Sequence, residues 1–471
     1  MVFSSLFFTF YFLPLVVVMY YLAKEQYRNY LLLVASLFFY SYGEPKFVFV
    51  MMGSILVNYI FALTIVYFKK QKTKKMILLL DIIINVGILF IFKYLDFTIE
   101  ASNYFFKTTF SIKGITLPIG ISFFTFQALS YVIDVYRGTI EVQKNPLYLA
   151  LYISFFPQLI AGPIIRYSDV VEQIVNRSCN IEKFGEGVRR FLLGFSKKVI
   201  LSNNLSLLAE DVFHMDVSVT NPLILWVGSV CYSLQIYYDF SGYSDMAIGL
   251  GKVFGFEFEE NFDYPYISKS VTEFWRRWHI SLGQWFRDYV YIPLGGSRVS
   301  VPQHVTNMFI VWILTGIWHG ANYTFILWGV GYFFLLVIEK YLIKPEKRKC
   351  IVTRISWEVI TLLSVNFGWV IFNSSGIKQG IKYCFGMVGG YHIPFCIDEQ
   401  LLRYMREYGG FLIMGVLFAT PIAKYAKKKV NDSKVLLITN ILIPIGYAVV
   451  FVLAVSYIIL GAHNPFIYFN F

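Results

Sequence analysis

The chain of 471 residues is 57% hydrophobic and only 15% charged, against about one quarter charged in soluble domains, which excludes a water-soluble globular protein. Its net charge of +12 is gathered in blocks beside apolar runs, where the positive-inside rule accounts for it better than nucleic-acid binding does. The five cysteines are scattered, with no C-x-x-C pair, so neither a disulfide framework nor a zinc site is expected.

Apolar runs at about 2–23, 47–68, 76–95, 117–136, 147–165, 222–240, 353–373, 411–426 and 435–460 recur along the chain. Crossing a bilayer takes roughly 18 or more such residues. The runs predict an all-α polytopic membrane protein of about ten or more helices, one integrated domain over 1–471 in contact with membrane lipids. An outer-membrane barrel would show short alternating segments instead. The first run lacks a basic n-region and a small-x-small cleavage site, so it is expected to be a retained helix and not a cleaved signal peptide.

Lys69-Lys70-Gln71-Lys72-Thr73-Lys74-Lys75 is the first basic block, followed by the blocks at 344–349 and 424–429. Placing all three in the cytoplasm puts the N-terminus, the C-terminus and the loop 374–410 outside. The central third, 166–340, is too polar for simple spans.

Several polar groups interrupt that pattern. Asp134 closes the run 117–136 beside Arg137, and Gln158 with Gly162-Pro163 breaks 147–165. That stretch is expected to be kinked or re-entrant, because irregular backbone at membrane depth needs cover from protein or a cavity. Asp239, Ser241, Ser244 and Asp245 in YYDFSGYSDMAIG read as buried scaffold groups.

The segment 271–290, VTEFWRRWHISLGQWFRDYV, has a helical period. At 100° per residue, Phe274, Trp275, Trp278, Leu282, Trp285, Phe286 and Tyr289 share one arc, and Arg276, Arg277, Gln284, Arg287 and Asp288 the other. This predicts an interfacial amphipathic helix with His279 on its seam. Gly295-Gly296-Ser297-Arg298 reads as a turn more readily than as a phosphate cradle.

His319 lies between the apolar stretches 304–318 and 323–340. Ionisable groups there are rare and usually face a protein-lined or watery interior, and a neutral imidazole is the commonest general base near neutral pH. His214, His392 and His463 fall in expected loops, and His304 at the expected interface, all four as surface residues. The signatures of P-loop nucleotide binding, serine hydrolysis and zinc proteolysis are absent.

Five stretches resemble the membrane-bound O-acyltransferases: LPIGISFFTFQ with IDVYRG, FFPQLIAGPIIRY, YYDFSGYSDMAIG, EFWRRWHISLGQWFRDYVYIPLGGSR and TGIWHGANYTFILWG. The resemblance covers about 1–340, with core motifs at 117–340 and less distinctive helices over 353–471. It is similar above all to the alginate O-acetylase subgroup of exopolysaccharide acetylation. The departures are Gly283-Gln284 where that subgroup often has Ser-Thr, and Ile317 where Leu is common.

The resemblance implies a bundle of about eleven helices with re-entrant segments around a central tunnel, in the bacterial inner membrane. It implies His319 and His279 as the catalytic pair. Acetyl-coenzyme A would be the donor substrate, with no permanently bound cofactor and no metal. An extracytoplasmic SGNH-type acetyltransferase and the polysaccharide secretion machinery would be the partners. Arg276, Arg277 and Arg298 are candidates for holding coenzyme phosphates. Two other classes stay open: a subunit of teichoic-acid D-alanyl transfer, and a proton-coupled transporter, for which the expected internal repeat is not evident.

Overall fold

The computed structural model describes residues 1–160, 162–345, 351–422, 425, 436–461, 464–465 and 467. Among the described residues every regular element is helical, as a chain that must satisfy its backbone inside a bilayer requires. Five of these helices are long and apolar enough to cross a membrane: Val48–Tyr67, Gln71–Lys93, Tyr323–Ile343, Ile351–Asn373 and Leu442–Ile459. His463, Cys350 and most of the basic blocks at 344–349 and 424–429 lie outside the described residues.

The chain divides into two compact units, Met1–Phe191 with Met246–Glu259, and Leu192–Asp245 with Glu260–Phe471. In the first, the spans Val48–Tyr67 and Gln71–Lys93 are joined by paired amides. Asn58 Nδ2 donates to Asn85 Oδ1 at 3.0 Å, and Asn85 Nδ2 to Asn58 Oδ1 at 3.2 Å. Lipid chains are as apolar as leucine, so such bonds supply a directional attraction between helices that apolar contact alone does not.

The run 147–165 is interrupted as its Gln, Gly and Pro residues foretell. Pro146–Ser154 ends at Phe155, and the short turn Phe156–Leu159 follows. The freed backbone is satisfied from elsewhere: the Phe156 N–H donates to Ser36 Oγ at 3.1 Å, and Gln158 Nε2 to the Tyr152 carbonyl at 2.6 Å. Within the run 2–23, a π-turn Phe8–Phe12 winds directly into the helix Leu13–Leu22.

In the second unit, the polar knot of YYDFSGYSD is a scaffold of ion pairs. Asp239, fully buried, meets Lys198 at 2.5 Å, and Asp245 meets Lys197 at 2.6 Å. The Ile467 N–H donates to the second Asp239 oxygen at 2.9 Å. Removing either partner of a buried pair strands a charge, which is costly.

The helices Val301–His319 and Tyr323–Ile338 pack closely through glycines. A Cβ on Gly316 would stand 2.5 Å from the Phe325 carbonyl oxygen, and one on Gly329 2.5 Å from that of Trp312. Backbone cannot yield as a flexible side chain does. Gly316→Ala is therefore expected to force the hairpin open, at a cost on the order of 1–3 kcal/mol. The check is the thermal midpoint of the purified protein, and an unchanged midpoint would refute the close-packing argument.

Candidate active site

His319 is the last residue of the helix Val301–His319. The turn Gly320-Ala321-Asn322 reverses the chain, and the Asn322 side chain accepts from the Thr324 N–H at 3.0 Å to start the next helix. The imidazole is buried at 5% exposure. It is walled by Trp318, Trp328 and Phe372, with ring centroids at 5.0, 5.1 and 5.1 Å.

His279 reaches the same place by a break that periodicity did not foretell. The expected continuous helix 271–290 is two short helices, Val271–Arg277 and Ile280–Phe286, with His279 between them. Its backbone is left-handed, φ 47° and ψ 54°, a conformation that costs a non-glycine residue roughly 1–2 kcal/mol. Asn261, from a preceding loop, holds the break open. Its carbonyl accepts from the Ile280 N–H at 3.0 Å, and its Oδ1 accepts from the Ser281 N–H at 3.1 Å and the Ser281 hydroxyl at 2.9 Å. These bonds cap the second helix in place of continued winding.

The result is a shared contact. The His279 ring meets the Trp318 indole edge-on at 5.9 Å, and the His319 ring meets the same indole at 5.0 Å. His279 is 4% exposed and lies in none of the five long apolar helices. Burial pushes its imidazole down to about 3, so the ring is neutral near pH 7.

An aromatic wall extends from this pair. Trp275 packs against Trp312, Trp328 and Tyr332 at 5.0, 5.3 and 4.8 Å, and Trp278 against Trp369 at 4.8 Å. Trp328 also lines an apolar cavity of about 470 Å³, with Tyr332, Phe367 and Ile371 among its other walls. His319 is therefore one ring away from open space.

One buried carboxyl group anchors the segment that carries His279. Glu339, 2% exposed, accepts from the Val271 and Thr272 N–H groups at 2.7 and 2.9 Å, from the Thr272 hydroxyl, and from the Trp357 indole at 3.0 Å. It caps the helix Val271–Arg277 from the far end of the span that begins just after His319. Glu339→Ala would leave several buried donors unpaired, at about 1–3 kcal/mol each. A fall in thermal midpoint is expected, together with loss of activity; a variant as stable as the parent would refute this anchoring.

The three candidate arginines differ. Arg277 is held by Glu273 at 2.9 Å and Asp263 at 3.1 Å, so its charge is committed to the protein. Arg276 and Arg298 are exposed. The Gly295-Gly296 pair forms the expected turn, with positive φ at both residues, and its N–H groups are spent on the Ile292 and Tyr291 carbonyls. His304 corrects an expectation. It is not a surface residue but 3% exposed, because Tyr291 and Tyr341 hydroxyls lie 2.7 and 2.6 Å from its two ring nitrogens. A buried polar ring is tolerable once both nitrogens are satisfied.

Among these groups, Asn261 and Glu339 were not singled out from the sequence. Glu339 carried a usable signal, a carboxylate at the end of an apolar run; Asn261 carried none, since nothing local marks a loop amide as a cap for a distant helix.

Residues 139–374 match the model of MBOAT, the membrane-bound O-acyltransferase family. The chain is 44% identical over 384 residues to the probable alginate O-acetylase AlgI of Pseudomonas aeruginosa, covering 80% of this chain and 73% of that protein. It is 34% identical over 459 residues to the peptidoglycan O-acetyltransferase of Helicobacter pylori, covering 90% and 87%. The teichoic acid D-alanyltransferase of Bacillus subtilis is 30% identical over 271 residues, covering 54% and 67%. The chain belongs to the membrane-bound O-acyltransferase family and is a multi-pass membrane O-acyltransferase.

Proposed function

We propose that this acyltransferase takes an acetyl group from cytoplasmic acetyl-coenzyme A and passes it across the membrane for O-acetylation of a secreted or cell-wall polysaccharide. The observation that carries the reading is the meeting of two buried histidines on one indole at the end of a helix in an apolar hairpin. Relatives named for alginate and peptidoglycan O-acetylation match along most of the chain, whereas the D-alanyltransferase matches over about half. That difference favours acetyl over D-alanyl transfer.

In this mechanism the acceptor hydroxyl attacks the thioester carbonyl. A C–O bond forms, the C–S bond breaks, and the carbonyl carbon passes through a tetrahedral oxyanion. His319 takes the hydroxyl proton as general base and returns it to the leaving thiolate, so the proton balance closes. His279, neutral, donates or accepts a single hydrogen bond that orients the acyl group or the attacking hydroxyl. The aromatic wall keeps water from competing for the thioester. The first acceptor is a hydroxyl of an extracytoplasmic SGNH-type acetyltransferase, which then modifies the polymer, and the protein itself resides in the bacterial inner membrane.

Mass spectrometry of acyl groups on the secreted polymer, with and without this protein, tests the reading. Acetyl esters should disappear with the protein and return when it is restored. Unchanged acetylation in its absence would sink the proposal, and loss of D-alanyl esters in place of acetyl esters would redirect it.

A further inference from the structure

We propose that Asp81 is a proton-binding site inside the membrane, and that its carboxylate competes with Asn58 for the side-chain amide of Asn85. Asp81 lies near the middle of the span Gln71–Lys93 and is 0% exposed. Among the described residues, both of its carboxyl oxygens are buried without a hydrogen-bond donor. None of these three residues belongs to the acyl-transfer site.

The surroundings explain why no donor reaches the carboxyl group. Asn85 stands one turn further along the same face of the helix, within side-chain reach of Asp81. An amide has two hydrogens, and Asn85 uses both. Its Nδ2 donates to Asn58 Oδ1 at 3.2 Å and to the Asp81 backbone carbonyl at 3.0 Å. Asn58 is equally committed, its Nδ2 donating to Asn85 Oδ1 at 3.0 Å and to the Ser54 carbonyl at 2.8 Å. The clasp between the two spans is complete without Asp81.

The charged and titratable groups nearby have other partners or lie further off. From Val48–Tyr67, Tyr59 donates to the Lys144 carbonyl at 2.7 Å, and Tyr67 is exposed at the helix end. From Ile121–Arg137, Tyr131 accepts from the Gln143 N–H at 3.0 Å, Tyr136 from Gln71 Nε2 at 3.1 Å, and Asp134 lies 3.9 Å from Arg137. On the same helix, Lys93 donates to Ser122 Oγ at 3.3 Å. Lys72, Lys74 and Lys75 stand six or more residues away, about 9 Å or further along the axis. The next helix, Leu95–Phe106, begins about 21 Å beyond Asp81.

A carboxylate in that setting has neither a partner nor water, and such a group neutralises itself by taking up a proton. A bound metal cation would need several oxygen ligands, and the amide oxygens of Asn58 and Asn85 are turned to each other's N–H groups. Losing the proton changes which bond is best, because a carboxylate is a stronger acceptor than a neutral amide oxygen. It would draw the Asn85 N–H away from Asn58 and leave the reciprocal pair with a single bond. The proton on Asp81 keeps the clasp closed.

The test is infrared difference spectroscopy on the whole protein in lipid nanodiscs. The carbonyl stretch of a protonated carboxylic acid should be present in the parent at neutral pH, missing from Asp81→Asn, and lost from the parent as pH is raised. Asn58→Leu frees the Asn85 amide for the carboxylate. In that variant the band should be lost at a pH about one unit or more lower, a ten-fold weaker hold on the proton. An acid band absent from the parent at neutral pH, or equally strong in Asp81→Asn, overturns the site. A band that outlasts every pH at which the parent stays folded, or that is lost at the same pH in the parent and Asn58→Leu, overturns the competition. Melting midpoints at neutral pH show whether the variants are folded, and Asp81→Leu and Asn58→Ala stand in where a first variant fails to fold.

Discussion

Replacing His319 by glutamine is expected to lower acyl transfer by about 10²–10⁴-fold, the usual contribution of a positioned general base. Glutamine is the informative choice because it comes close to imidazole in volume and polarity. The pocket formed by Trp318, Trp328 and Phe372 is tight, and His319→Ala would add a cavity cost of roughly 2–5 kcal/mol to any loss of chemistry. The Gln variant separates the two. The measurement is acetyl-ester content of the polymer, or donor turnover by purified protein, at matched amounts in the membrane and matched melting midpoints. A folded Gln variant that works at the parental rate would remove His319 from the mechanism.

A pair of variants at His279 should give different answers, and the difference defines its role. His279→Ala is expected to lose about 10²-fold or more, the scale of one lost hydrogen bond in a preorganised site. His279→Asn should retain activity to within about 10-fold of the parent, because an amide can still orient an acyl carbonyl or a hydroxyl but cannot act as a base near neutral pH. Backbone geometry favours this comparison. His279 is left-handed at φ 47°, and asparagine enters that region more cheaply than other non-glycine residues. The Asn variant should therefore keep the break between Val271–Arg277 and Ile280–Phe286. If both variants fall by the same large factor, His279 transfers a proton itself and the orienting role is wrong.

Much of the architecture was legible in the chain. A bilayer leaves no water for unsatisfied backbone, so apolar runs at about 47–68, 76–95 and 353–373 had little choice but to be helices, and they fall on Val48–Tyr67, Gln71–Lys93 and Ile351–Asn373. The interruption in 147–165 could also be anticipated, since proline lacks an N–H and a buried glutamine needs a partner. The break at His279 could not. Its tryptophans and arginines obey the helical period on both sides of the gap, and periodicity reports which face is apolar, not where winding stops. Winding stops there because Asn261, eighteen positions earlier, takes the two N–H groups that a continuous helix would have used.

The same distinction separates the site's members. Composition and the apolar runs were enough to determine an all-helical membrane protein, and the resemblance of five motifs to the membrane-bound O-acyltransferases implied acyl transfer with His319 and His279 as the candidate pair, because class and motif are local properties of the chain. Only the tertiary structure could set both rings against one indole, turn Glu339 into a helix cap, and bury His304 between two tyrosines. Each of those depends on hydrogen bonds or ring contacts between residues far apart in sequence. Such partners compete with local preference and win where burial makes an unpaired polar group too costly to leave.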